Sequence, residues 1–98
     1  MDKITKLSDA IRLGATFRPQ CKVMLFNRGK SCALGAAAEA LGYTWAEELK
    51  ARFPDLGRPM KHPMGERARN LWDIISDLND NHDWTREQIS SWLAAQGL

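Results

Sequence analysis

Long apolar runs are missing from this 98-residue chain, so it holds nothing like the ~20 consecutive apolar residues of a membrane-spanning helix. Met1-Asp2-Lys3 leads into a polar, charged segment rather than the apolar core of a secretory leader. Cysteine is scarce: Cys21 and Cys32 are the only two and form no CxxC pair, which argues against a disulfide-stapled secreted scaffold. A cytoplasmic protein with free thiols is the expectation. The net charge of +2 is too small to point to nucleic acid by itself. Internal repeats and low-complexity tracts are absent.

What the chain does have suits one helical domain spanning residues 1–98. A hydrophobic fraction of 44% is ordinary for a globular protein, so disorder is not the default. Trp45, Trp72, Trp84 and Trp92 are a large share of the apolar area and are expected in the core. Charge is unevenly distributed. Lys3, Lys6, Arg12, Arg18, Lys22, Arg28 and Lys30 dominate the first 30 residues, whereas Asp73, Asp77, Asp80, Asp83 and Glu87 dominate the last 29. The two ends are expected to lie near each other and to neutralise in part.

The stretch from Ser31 to Gly42 is small and apolar on almost every side, with only Glu39 charged. It reads as a short helix buried around most of its circumference and central to the packing, capped by Ser31, with Cys32 its first helical residue. Gly35 within it is expected to let a neighbouring helix approach closely. Before it, Ile4, Leu7 and Ile11 predict an amphipathic helix over residues 3 to 13, stopped by Gly14. Residues 22–26 read as a short extended segment without a good partner strand, ending in a turn at Gly29.

After it, Thr44 and Glu47 form a capping-box signature for a helix that Pro54 ends. Residues 55–65 hold Gly57, Pro59, Pro63 and Gly65 in an irregular loop. Helical periodicity returns from Glu66 to about Asn79, and Thr85 with Gln88 opens a last helix that ends at Gly97. About five helices with short connections predict an all-α fold, a single small orthogonal bundle.

Two motifs carry a family resemblance. Gly29-Lys30-Ser31-Cys32-Ala33-Leu34-Gly35-Ala36, followed by Leu78-Asn79-Asp80 and Trp84-Thr85-Arg86-Glu87-Gln88-Ile89-Ser90-Ser91-Trp92-Leu93, resembles a DUF6197-like group of small bacterial and phage proteins of unknown function. The chain has Thr85 where that group commonly has Ser and Ser90 where it commonly has Ala, neither of which alters a physical role. The resemblance implies a shared helical fold and no activity.

Cys32, in the first turn of a helix, would be a nucleophile if His62 or His82 came close. No cysteine-protease signature surrounds it, and burial is the expected role. Cys21, Cys32, His62 and His82 lack the close pairing of zinc-finger ligands. Asp77, Asn79, Asn81 and Asp83 have the spacing of a calcium loop, but His82 stands where glycine should make the turn and Gln88 where a glutamate should close the shell. A polar turn is expected there instead.

Residues 33–41 and 45–53 resemble a helix-turn-helix, against which Glu47 and Glu48 argue. Lys50, Arg52, Arg58, Lys61, Arg67 and Arg69 flank the Pro-Gly loop and form a candidate surface for an acidic partner. The expectation is a non-enzymatic module that binds a protein, without cofactor or metal and away from membranes. The alternatives are a nucleic-acid-binding module using Lys22, Arg28 and Lys30 in the basic N-terminal half, and a hydrolase using Cys32.

Overall fold

The computed structural model describes residues 4–22, 26–27 and 29–98. Among the described residues the chain is mostly helical, 53% helix with five α-helices. These are α1 (Leu7–Gly14), α2 (Ala33–Ala40), α3 (Ala46–Arg52), α4 (Leu71–Asn81) and α5 (Arg86–Ala95). Two small antiparallel ladders accompany them: β1 (Phe26–Asn27) with β2 (Lys30–Ser31), and β3 (Pro59–Met60) with β4 (Arg69–Asn70). No described helix is long and apolar enough to cross a membrane.

α2 is the central element its composition predicts. Ala33, Leu34, Gly35, Ala36, Ala37 and Ala38 are all buried, because a helix of small apolar residues has no wet face to offer. Its cap differs from the expectation by one residue. Cys32 has extended backbone angles, and its Sγ accepts a hydrogen bond from the Gly35 N–H at 3.3 Å. Ser31 belongs instead to β2, pairs with Phe26 and bridges to Gln20.

The segment expected to stay unpaired thus finds its partner just beyond the turn at Gly29, whose φ of 77° favours glycine. Residues 23–25 of that segment lie outside the described residues.

α1 starts at Leu7 rather than near residue 3 and turns Leu7, Ala10, Ile11 and Gly14 inward. Gly14 is its last residue, and its main role is tertiary: a Cβ there would lie 1.7 Å from the Ala36 carbonyl oxygen. Gly14 thereby lets α1 cross α2 backbone to backbone.

Further along, Thr44 does not cap α3. Trp45 holds the cap position, and the Glu48 carboxylate accepts from the N–H groups of both Thr44 and Trp45. The indole of Trp45 is left 67% exposed, against the expectation that all four tryptophans build the core; Trp72, Trp84 and Trp92 do pack against it.

The Pro-Gly stretch is more ordered in its connections than its composition predicts. Pro54–Gly57 forms one 3-10 turn that buries Leu56, and β3 then pairs with β4. That ladder takes Arg69 and Asn70 out of the helix expected from Glu66. The Asn70 side chain caps α4 by accepting from the Asp73 N–H at 2.9 Å. α5 opens on the predicted box: Thr85 Oγ1 accepts from the Gln88 N–H, and Gln88 Oε1 accepts from the Thr85 N–H.

Buried polar side chains join the helices. Asn79, 1% exposed, accepts at Oδ1 from the Ala33 N–H and from Gln20 Nε2, and donates from Nδ2 to the Cys21 carbonyl and to Asp80. Arg86 reaches Ser31 Oγ at 3.1 Å and the Ala15 carbonyl at 3.3 Å. Ser90 Oγ donates to the Ser8 carbonyl at 2.8 Å. The two sequence stretches around residues 29–36 and 78–93 are therefore in direct contact.

Candidate functional site

A tight turn in the β3–β4 connection presents the most concentrated polar chemistry in the chain. Pro63 fixes its own φ, Gly65 takes a φ of 81°, and the Gly65 N–H returns to the His62 carbonyl at 3.1 Å. The Met64 N–H inside this turn donates to His62 Nδ1 at 3.0 Å. His62 is thereby drawn inward, only 1% exposed, against α4. Glu66 follows the turn, Asp77 lies on α4, and His82 is the residue at the end of α4.

Four side chains converge there. His62 Nε2 is 2.8 Å from Asp77 Oδ2, and His82 Nε2 is 3.2 Å from the same oxygen and 2.5 Å from Glu66 Oε2. The imidazole centroids are 5.5 Å apart. Asn81 Nδ2 donates to the other Asp77 oxygen, Oδ1, at 2.7 Å. That bond is the chief reason the Asp77 carboxyl lies below the usual carboxylate range; the bond from His62, the charge of His82 and that of Arg69 act the same way, and burial opposes them. One potential ligand atom from each of His62, Glu66, Asp77 and His82 lies within 4.8 Å of all the others.

The Met64 contact decides the tautomer of His62. A neutral imidazole carries one proton, and Nδ1 uses its lone pair to accept from a backbone N–H, so the proton sits on Nε2 and points at Asp77. His82 Nε2 likewise faces only carboxylate oxygens.

Sequence reasoning had three of these four residues under other headings and missed Glu66. The calcium-loop reading fails because Asp77, Asn79 and Asn81 are all inside α4. At about 100° per residue, Asp77 and Asn81 share a face and bond to each other, while Asn79 points across the helix into the core. Asp83, with φ 55°, pairs with Lys22 instead. Neither cysteine belongs to a possible ligand group among the described residues.

Cys32 is buried, and both candidate histidines are engaged with carboxylates. Burial pushes its thiol up, outweighing the downward pull of the Gly35 and Leu34 N–H groups at the helix start. A protonated thiol is a poor nucleophile.

The candidate basic surface is largely engaged within the protein. Lys50 Nζ sits 4.6 Å from the Trp72 ring centroid, and Arg52 donates to the Ile4 carbonyl at 2.6 Å. Arg58 pairs with Asp55 and Arg69 with Glu66, while Lys61 and Arg67 are exposed. In the helix-turn-helix candidate, α3 has only seven residues and carries Glu47 and Glu48 in its first turn.

A second feature lies away from this cluster. A shallow groove of about 400 Å³ is lined by Arg18, Phe26, Glu39, Gly42, Tyr43 and Thr44. Arg18 binds Glu39 through Nε and a terminal nitrogen, at 2.9 and 2.6 Å, and its guanidinium stands 5.9 Å from the Phe26 ring centroid. Next to lining residues in the chain are Phe17, 51% exposed, and Trp45. No composition signal pointed here, since Arg18 and Glu39 are 21 positions apart. No family model, no curated protein and no solved structure matches the chain.

Proposed function

We propose that this protein is a non-catalytic module, working in the cytoplasm, that binds another protein through the groove beside Trp45. The observation that carries the reading is exposed aromatic surface at a concavity: Phe26 lines it, and Phe17 and Trp45, each next in the chain to a lining residue, are 51% and 67% exposed. Arg18 and Glu39 neutralise each other in the groove. The partner segment is therefore an uncharged one with an aromatic or aliphatic anchor, and the carboxylate argues against a nucleic-acid backbone. The fold that carries the groove is read as an orthogonal helical bundle with two hairpin additions. Kinship with the DUF6197-like proteins is part of the same proposal, supported by the contact between the two motif stretches.

The test is a photo-crosslinking amino acid inserted at position 45 and, as a control, at the exposed position 91 on α5, in cells that naturally make the protein. A discrete adduct to one protein from position 45, lost on Phe26→Ser and absent from position 91, supports the proposal. Adducts to nucleic acid, equal adducts from both positions, or none from position 45 overturn it.

A further inference from the structure

We infer that Glu66, Asp77 and His82 form a binding site for a first-row divalent transition metal ion, with His62 as a positioning residue rather than a ligand. Glu66 Oε2, Asp77 Oδ2 and His82 Nε2 already lie on one small triangle, with His82 2.5 Å from one oxygen and 3.2 Å from the other. Ligand atoms about 2.0–2.2 Å from a common zinc stand roughly 3.3 Å apart in tetrahedral geometry, so the two edges that meet at His82 need to open by less than an ångström. One imidazole and two carboxylates suit zinc, cobalt or manganese better than a soft thiophilic ion. Glu66 and His82 are partly exposed, so the ion has a way in and room for water as remaining ligands.

His62 is the fourth member by distance, yet its hydrogen bonds assign it another part. Its Nδ1 lone pair accepts from the Met64 N–H, which leaves Nε2 protonated and without a lone pair for a metal. A histidine ligand normally donates its second ring N–H to an acceptor; His62 would meet a backbone donor there. It instead donates to Asp77 Oδ2, as Asn81 donates to Oδ1, and the two bonds hold that carboxylate toward His82 and Glu66. His82 is under no such constraint, since Nε2 is the nitrogen that faces the carboxylates: on binding, the ring proton moves to Nδ1 and Nε2 takes the ion.

The experiment uses the untagged full chain, titrated with Zn²⁺ and Co²⁺ by calorimetry, and ¹⁵N NMR of the histidine rings with Zn²⁺. The expected result is one saturable site. His82→Ala and Asp77→Asn each weaken it by at least about a hundredfold, whereas His62→Gln, which keeps an N–H donor toward Asp77, stays within about tenfold. In the zinc-loaded protein His62 retains its proton on Nε2 and His82 carries its proton on Nδ1. Each variant is checked by thermal melting in metal-free buffer, so that loss of binding is read only from folded protein. Absence of saturable binding overturns the site. Loss on His62→Gln equal to that of His82→Ala, or deprotonation of His62 Nε2 by zinc, overturns the assignment of roles.

Discussion

Two groups of buried polar side chains, both anchored on α4, do opposite things. On one side Asn79 sends its amide hydrogen bonds into fixed partners, two of them backbone groups, the Ala33 N–H at the start of α2 and the Cys21 carbonyl. On the other, His62, Glu66, Asp77 and His82 bond mainly to one another, with two imidazoles sharing one carboxylate oxygen. The first arrangement satisfies what the fold already contains. The second brings together groups that could each have stayed in water, which is what makes it a candidate site. Opposite faces of one helix thus separate a structural joint from a candidate site by the identity of the partners.

The comparison breaks hardest on the joint side. Gly14→Ala drives a methyl group into the Ala36 backbone, where no side chain can swing away, and should cost at least about 3 kcal/mol or prevent folding. Asn79→Ala comes next: it strands the Ala33 N–H in the interior, removes a bond to the Cys21 carbonyl and should cost about 3 kcal/mol. His82→Ala, from the cluster, should cost no more than about 1 kcal/mol in metal-free buffer, since its partners can turn to water. Urea melts of the three variants give the order directly. If His82→Ala proves as damaging as Asn79→Ala, the cluster is itself a structural joint.

These effects also show which parts of the molecule the sequence makes legible. α2 could be read because an all-apolar circumference has a single physical outcome, and the Thr85–Gln88 box because its code is local. Thr85→Ala should accordingly cost about 1 kcal/mol and serves as a ruler between the two groups. Gly14 ends α1 as its local signal predicts, and that local explanation hid the tertiary role beside Ala36. Trp45 was misread because composition says how much apolar area exists and not where it goes. Glu66 escaped because its partnership with His82 arises only when β3 and β4 pair, a ladder of two residues per strand with no hydrophobic alternation to announce it. The spacings His62 to Glu66 and Asp77 to His82 were the available signal.

The smallest effect concerns Cys32, which stands on the joint side of the comparison and tests whether that side is as inert as its bonding implies. Burial raises its thiol pKa in the folded state, so the unfolded chain, with a thiol near about 8.5, loses its proton first as pH rises. Stability is therefore fully present below that pH and declines above it, until the folded thiol also ionises. Cys21 is shifted the same way and also chiefly by burial, so the measurement belongs in a Cys21→Ser background. There, urea melts between pH 7 and pH 9.5 should show a decline that Cys32→Ala makes shallower, and iodoacetamide should label Cys32 at neutral pH only as fast as the protein opens. Labelling that outruns opening, or a pH decline that Cys32→Ala makes steeper, would show a thiolate at the start of α2 and return that residue to the list of reactive groups.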